Sequence, residues 1–178
     1  LALWGDSHAW RSGETLAAVA TNNGQSVSIY TMASCPPLLD VKWAKDKQGC
    51  RPFSAAALER IRTERPQIVV LSGFWTNYAS GSRLGAPLYV NFLTNRETTR
   101  QSAEENQRVF EPGLRRTVLE IRRTGARVLI VGPYPELPWL APTRLSMSAR
   151  LGAPPQHGPT TASFLERNRP VLEVLAVI

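Results

Sequence analysis

Four short apolar runs constrain this chain more than any other feature: LALW (1–4), QSVSIYTM (25–32), QIVVLSG (67–73) and ARVLIVG (126–132). Each is followed by a stretch with helical spacing or helix punctuation. Residues 8–22 carry Leu16, Val19 and Ala20 at helical spacing and stop at Asn22-Asn23-Gly24. Residues 54–64 predict a short helix with Ser54 as its N-cap. Residues 101–124 predict a long one with Val109, Leu114, Val118 and Ile121 on its apolar side and Gly125 at its end. Residues 160–178 predict a last helix, broken or kinked at Pro170. The pattern β-α repeated four times implies α/β class: a three-layer α/β/α fold with a parallel, flavodoxin-like sheet. QIVVLSG, apolar on both faces, suits the middle of such a sheet, and ARVLIVG reads as a fourth buried strand. Residues 33–53, 74–100 and 133–159 read as loop or irregular structure, the last because it holds seven prolines.

At 178 residues the chain suits a single domain, 1–178. No apolar run reaches the ~20 residues of a membrane-spanning helix. The chain opens on Leu1 rather than Met and closes on the apolar run VLEVLAVI, so it reads as a piece of a longer protein. Formal net charge is +7, and arginine supplies most of the excess, with lysine only at Lys42, Lys45 and Lys47. Nucleic acid, anionic lipid and acidic glycan all suit a basic surface. No zinc-finger spacing or aromatic RNA-binding signature supports a nucleic-acid partner. The two cysteines, Cys35 and Cys50, are too few for a zinc site and are not spaced as CxxC. Spacing alone leaves a disulfide and two unrelated thiols both open.

In parallel α/β sheets the ligand site lies at the carboxyl ends of the strands. The segments there are Gly5-Asp6-Ser7-His8, Ala33-Ser34-Cys35, Gly73-Phe74-Trp75-Thr76-Asn77 and Gly132-Pro133. Gly5 permits a sharp turn. Ser7 follows at the start of a helix, where free N–H groups and the helix dipole favour a developing negative charge. That suits an alkoxide or tetrahedral oxyanion; it equally suits a plain helix cap by Asp6 or Ser7. Gly73 and Asn77 fall on the same sheet edge, where a glycine N–H and an Asn amide are suitable oxyanion donors, or where Asn77 is an ordinary turn residue.

GDSHA (5–9), SCPP (34–37) with a second Cys downstream, VVLSGFW (69–75) and VGPYPELP (131–138), in that order, resemble the SGNH (GDSL-like) hydrolase superfamily. More narrowly they resemble its SGNH domain appended to acyltransferase-3 membrane proteins, which O-acylate cell-surface polysaccharides. The resemblance implies a serine esterase or O-acyltransferase with Ser7 as nucleophile. Its oxyanion hole would use the N–H of Ser7, a second backbone donor near Ser34, and the Gly73 and Asn77 region. Asn77 stands two positions beyond the family's place for it. Asp6, His8 and Trp75 are implied as loop-ordering or pocket-lining residues, and Cys35–Cys50 as a disulfide. The resemblance further implies a membrane acyltransferase domain on the same chain, an acyl donor and a glycan acceptor, a location outside the cytoplasmic membrane, and no metal, cofactor or nucleic acid.

A serine nucleophile needs a general base. His8 directly follows Ser7, and adjacent side chains on a helix diverge, so it is a poor base for its neighbour. His157 lacks the family's Asp three residues earlier; Pro154 stands there. The expectation is therefore that the family's last strand and its Asp-x-x-His loop lie beyond Ile178. The alternative reading is a non-catalytic glycan-binding or docking module.

Overall fold

The computed structural model describes residues 1–46, 49–98, 101–152 and 158–178. His157 and Lys47 lie outside the described residues. In chain order the elements are β1 (Ala2–Gly5), α1 (Ser7–Asn22), β2 (Ser28–Thr31), β3 (Lys42–Trp43), α2 (Cys50–Glu64), β4 (Ile68–Ser72) and α3 (Trp75–Ser80). Then follow β5 (Ser82–Arg83), β6 (Ala86–Val90), β7 (Leu93–Thr94), α4 (Ala103–Arg123), β8 (Arg127–Ile130), α5 (Ala141–Leu151) and α6 (Thr161–Leu175).

The four apolar runs form one parallel sheet in the order β2-β1-β4-β8. Register is set by pairs such as Gly5↔Thr31, Gly5↔Ser72 and Leu71↔Ile130. Because side chains alternate across a strand, the two faces of the sheet bury different sets. Leu3 and Val70 meet Ala9 and Leu16 of α1 on one face. Ala2, Trp4, Val69 and Leu71 meet residues of α2, α3, α4 and α6 on the other. The result is the expected α/β/α layering.

Local differences from the sequence reading have physical causes. Helix α2 starts at Cys50, so Ser54 lies inside it, fully buried, and caps nothing. Pro52 in its first turn costs no hydrogen bond, because the first N–H groups of a helix lack intrahelical partners. The same tolerance allows α5: Pro142 sits in its first turn, and Pro133, Pro135, Pro138 and Pro159 lie outside it. Helix α1 turns Ala9, Gly13 and Ala20 to the sheet and leaves Val19 53% exposed. A Cβ at Gly13 would meet Ile29 at 3.1 Å, so small residues set that close packing. The fourth strand is an edge rather than a buried strand, with Leu129 56% exposed. The segment 74–100, read as irregular, holds α3, the antiparallel ribbon β5–β6, and β7, which pairs antiparallel with β3 of the 33–53 loop. Asn106 of α4 ties this region together: it accepts from Leu93 N–H (2.6 Å) and donates to the carbonyls of Tyr78 (2.8 Å) and Ala79 (2.7 Å).

Candidate active site

The turn from β1 into α1 contains a single residue, Asp6, and its tightness rests on Gly5. A Cβ on Gly5 would lie 1.8 Å from the Ser72 carbonyl oxygen and 2.5 Å from Ala9 Cβ, so only glycine lets the ends of β1 and β4 approach this closely. Asp6 is the N-cap of α1 and is 1% exposed. Its Oδ1 accepts from His8 N–H at 2.7 Å and lies 3.4 Å from His8 Nδ1. Its Oδ2 accepts from Phe74 N–H at 2.9 Å and from the Tyr78 hydroxyl. One carboxylate thus joins the starts of α1 and α3. Burial alone would raise its pKa, but the bonds from His8, Tyr78 and the Phe74 and His8 backbone outweigh it and hold it below the ordinary value. Burial, and then the neighbouring Asp6 charge, push the Tyr78 phenol well above its ordinary value, so it remains a hydrogen-bond donor.

Ser7 is the first residue of α1 and is partly exposed. Among the described residues its Oγ has no hydrogen-bond partner, and its N–H lies at the positive end of the helix dipole. Ser34 has φ 61°, the left-handed region, and its carbonyl accepts from Trp43 Nε1 at 2.6 Å. The disulfide Cys35–Cys50 closes beside it. Asn77 comes from α3, is 2% exposed, and its Oδ1 has no partner among the described residues.

Asp6, Ser7, His8, Ser34 and Asn77 line one cleft of ≈ 30 Å³, together with Trp43, Phe74, Tyr78, Arg83 and Tyr89. The short helix α3 brings Asn77 to Ser7 despite its displaced place in the sequence. Two expected residues do not line this cleft. Trp75 is fully buried in the core, where its Nε1 donates to Val131 O at 2.6 Å, so the expectation of a pocket-lining Trp75 is corrected. Gly73 packs beneath the Tyr78 ring, and its carbonyl accepts from Trp75 N–H at 2.8 Å. His8 stacks on Tyr134 (5.8 Å between ring centres), meets Phe74 at a tilt (4.7 Å), and makes no hydrogen bond to Ser7 Oγ among the described residues.

Sequence reasoning missed Tyr78, Arg83 and Tyr89. Tyr78 directly follows Asn77 in the sequence. Arg83 and Tyr89 belong to the β5–β6 hairpin, which no apolar periodicity announced. The Arg83 guanidinium rests 4.4 Å from the Tyr89 ring centre and 5.5 Å from that of Phe74. A larger hollow of ≈ 370 Å³ lies between this hairpin and α6, and no residue nominated from the sequence lines it. Among the described residues, no group of three or more His, Cys, Asp or Glu stands together as a metal site.

None of the curated proteins matches this chain. The fold is similar to that of a solved structure, "Structure of Salmonella ser. Paratyphi A lipopolysaccharide acetyltransferase periplasmic domain", with TM-score 0.65 and 17% sequence identity. The match covers 99% of this chain and 62% of that one, and at this identity it concerns fold alone. A family model described as "SGNH domain (fused to AT3 domains)" matches residues 1–178. The chain therefore belongs to the family of SGNH domains fused to AT3 domains.

Proposed function

We propose that this domain transfers or removes O-acyl groups of a cell-surface polysaccharide through an acyl-serine formed at Ser7. The observation that carries the reading is the shared cleft: Ser7, Ser34 and Asn77 line it together at the carboxyl end of the sheet. In the first step Ser7 Oγ bonds to the acyl carbonyl carbon and gives up its proton to a general base, and the carbonyl oxygen becomes an oxyanion. The N–H of Ser7, the Ser34 turn and the Asn77 side chain are the proposed donors to that oxyanion. Collapse of the intermediate expels the donor's alcohol, which takes up a proton. A sugar hydroxyl in a transferase, or water in an esterase, then bonds to the acyl carbon and gives its proton to the base; the acyl carbon–Ser7 Oγ bond breaks, and Ser7 Oγ takes that proton back.

Family membership supports a membrane acyltransferase partner domain on the same chain. The similar fold of a periplasmic lipopolysaccharide acetyltransferase domain supports a site outside the cytoplasmic membrane, as does a disulfide, which persists in oxidising compartments. Asp6 is assigned to positioning, since both its oxygens are already engaged. The test is covalent labelling of the full-length protein by a fluorophosphonate. The expected result is one adduct on Ser7, lost in Ser7→Ala. A folded full-length protein that resists labelling yet binds glycan saturably would replace this reading with a docking module.

A further inference from the structure

Strands β1, β4 and β8 run in one direction, so the residues that open them share one end of the sheet, opposite Ser7. Arginines gather at that end. Arg60 and Arg62 lie in the last turns of α2, Arg65 follows it, Arg122 and Arg123 close α4, and Arg127 opens β8. Three glutamates accompany these six arginines. Glu120 takes both Arg62 (2.8 Å) and Arg123; Glu64 takes Arg60 (2.8 Å); Glu59 lies 3.7 Å from Arg62. Arg65, Arg122 and Arg127 are exposed and have no ion-pair partner among the described residues.

A helix C-terminus favours nearby cations, which accounts for arginines in the last turns of α2 and α4. The same holds for Arg65, the C-cap of α2, whose N–H bonds back to Ile61 O; it does not account for Arg127, which stands on a strand. An open groove of ≈ 560 Å³ runs between them, lined by Arg62, Arg65, Glu120, Arg123, Thr124 and Gly125. Its lining is open at Gly125, where an added Cβ would meet no atom within 4 Å. Glu120 holds two guanidinium groups in place, so the groove offers pre-oriented planar donors. Arginine, unlike lysine, matches a phosphodiester with two parallel hydrogen bonds.

We propose that this end of the sheet docks on anionic phospholipid headgroups, with the Arg62–Arg65–Arg123 groove seating a phosphate and Arg122 and Arg127 flanking it. The family's fusion to a membrane acyltransferase domain makes a lipid surface the anionic partner at hand. Docked this way, Ser7 opens away from the lipid, across a strand length of about 13 Å.

The test is co-sedimentation of the chain with vesicles of 30% phosphatidylglycerol in phosphatidylcholine, against vesicles of phosphatidylcholine alone. Binding to the anionic vesicles only is expected, and its loss as salt rises toward 1 M, where charges are screened beyond ~3 Å. The triple variant Arg65→Glu/Arg122→Glu/Arg127→Glu spares every ion pair described above. Each arginine near an anionic surface contributes about fivefold, so loss of three positive charges weakens binding on the order of a hundredfold, and the reversed charges should weaken it further. The control Arg144→Glu/Arg150→Glu/Arg169→Glu carries the same net charge away from this face and should bind nearly as the wild type does. Should the charge-reversed triple melt early, Arg65→Gln/Arg122→Gln/Arg127→Gln replaces it. Equal losses in both triples, binding to neutral vesicles, or tighter binding to heparin than to the anionic vesicles would each overturn the proposal.

Discussion

Replacing Asp6 with alanine tests the reading that one buried carboxylate holds the ends of β1 and β4 in register above the cleft. Three contributions add. The N-cap bond to His8 N–H (2.7 Å) is lost, typically about 1 kcal/mol. Phe74 N–H, 2.9 Å from Oδ2, is left without an acceptor, and so is the Tyr78 hydroxyl. Each unsatisfied buried donor costs roughly 1–3 kcal/mol, with Phe74 nearer the low end because it is only partly buried. The total is about 3–5 kcal/mol, or a melting temperature lower by about 10 °C for a chain of this size. Urea unfolding at pH 7, with the denaturant slope unchanged, measures it. The isosteric Asp6→Asn adds a pH signature. Burial opposes the charged form, yet the hydrogen bonds prevail and depress the native pKa below the ordinary 3.8. Stability from a depressed carboxylate is fully present above its unfolded-state value and is lost as pH falls through the native value. The wild type's advantage over Asp6→Asn should therefore hold at neutral pH and narrow below pH 3.8. A loss under about 1 kcal/mol in Asp6→Ala, or a gap that widens in acid, would refute the reasoning.

Gly5→Ala places a methyl 1.8 Å from the Ser72 carbonyl oxygen, and neither strand can yield because Gly5 and Ser72 pair in the sheet. Its cost should exceed the ~1–3 kcal/mol of ordinary overpacking, and an unchanged melting temperature would show that the strands are farther apart. Reduction of Cys35–Cys50, which closes a loop of sequence separation 15, should cost about 3 kcal/mol; melting curves with and without a phosphine reductant check it, and identical curves would count against the bond.

The sheet was legible because its strands are short, apolar and separated by helices, a pattern with few topological solutions. The apolar side of α4 was equally legible: Val109, Leu114, Val118 and Ile121 are all buried. The turn at Gly5-Asp6-Ser7 was legible because its spacing is local. Trp75 was misplaced because GFWTN carries no sign of which aromatic faces the cleft; packing against Tyr78 and Phe110 turns it inward. Helix α5 was hidden by a count of prolines that ignored where in a helix a proline is harmless. The β5–β6 hairpin, with Arg83 and Tyr89, was hidden because β5 spans only two residues, too few to show an alternating pattern, and it is held by distant partners such as Arg167 of α6, which donates to Ser82 O at 2.8 Å.

What the sequence by itself determined is the class of fold and the place of Ser7, since both follow from the order of apolar runs and from the residues bordering one turn. Only the tertiary structure decided the company Ser7 keeps. Asn77, Ser34, Arg83 and the Asp6–Tyr78 bond meet across separations of tens of residues, and nothing in local spacing encodes such meetings. They depend on how close two strand ends can come, which a missing Cβ at Gly5 controls, and on where a buried charge finds its donors.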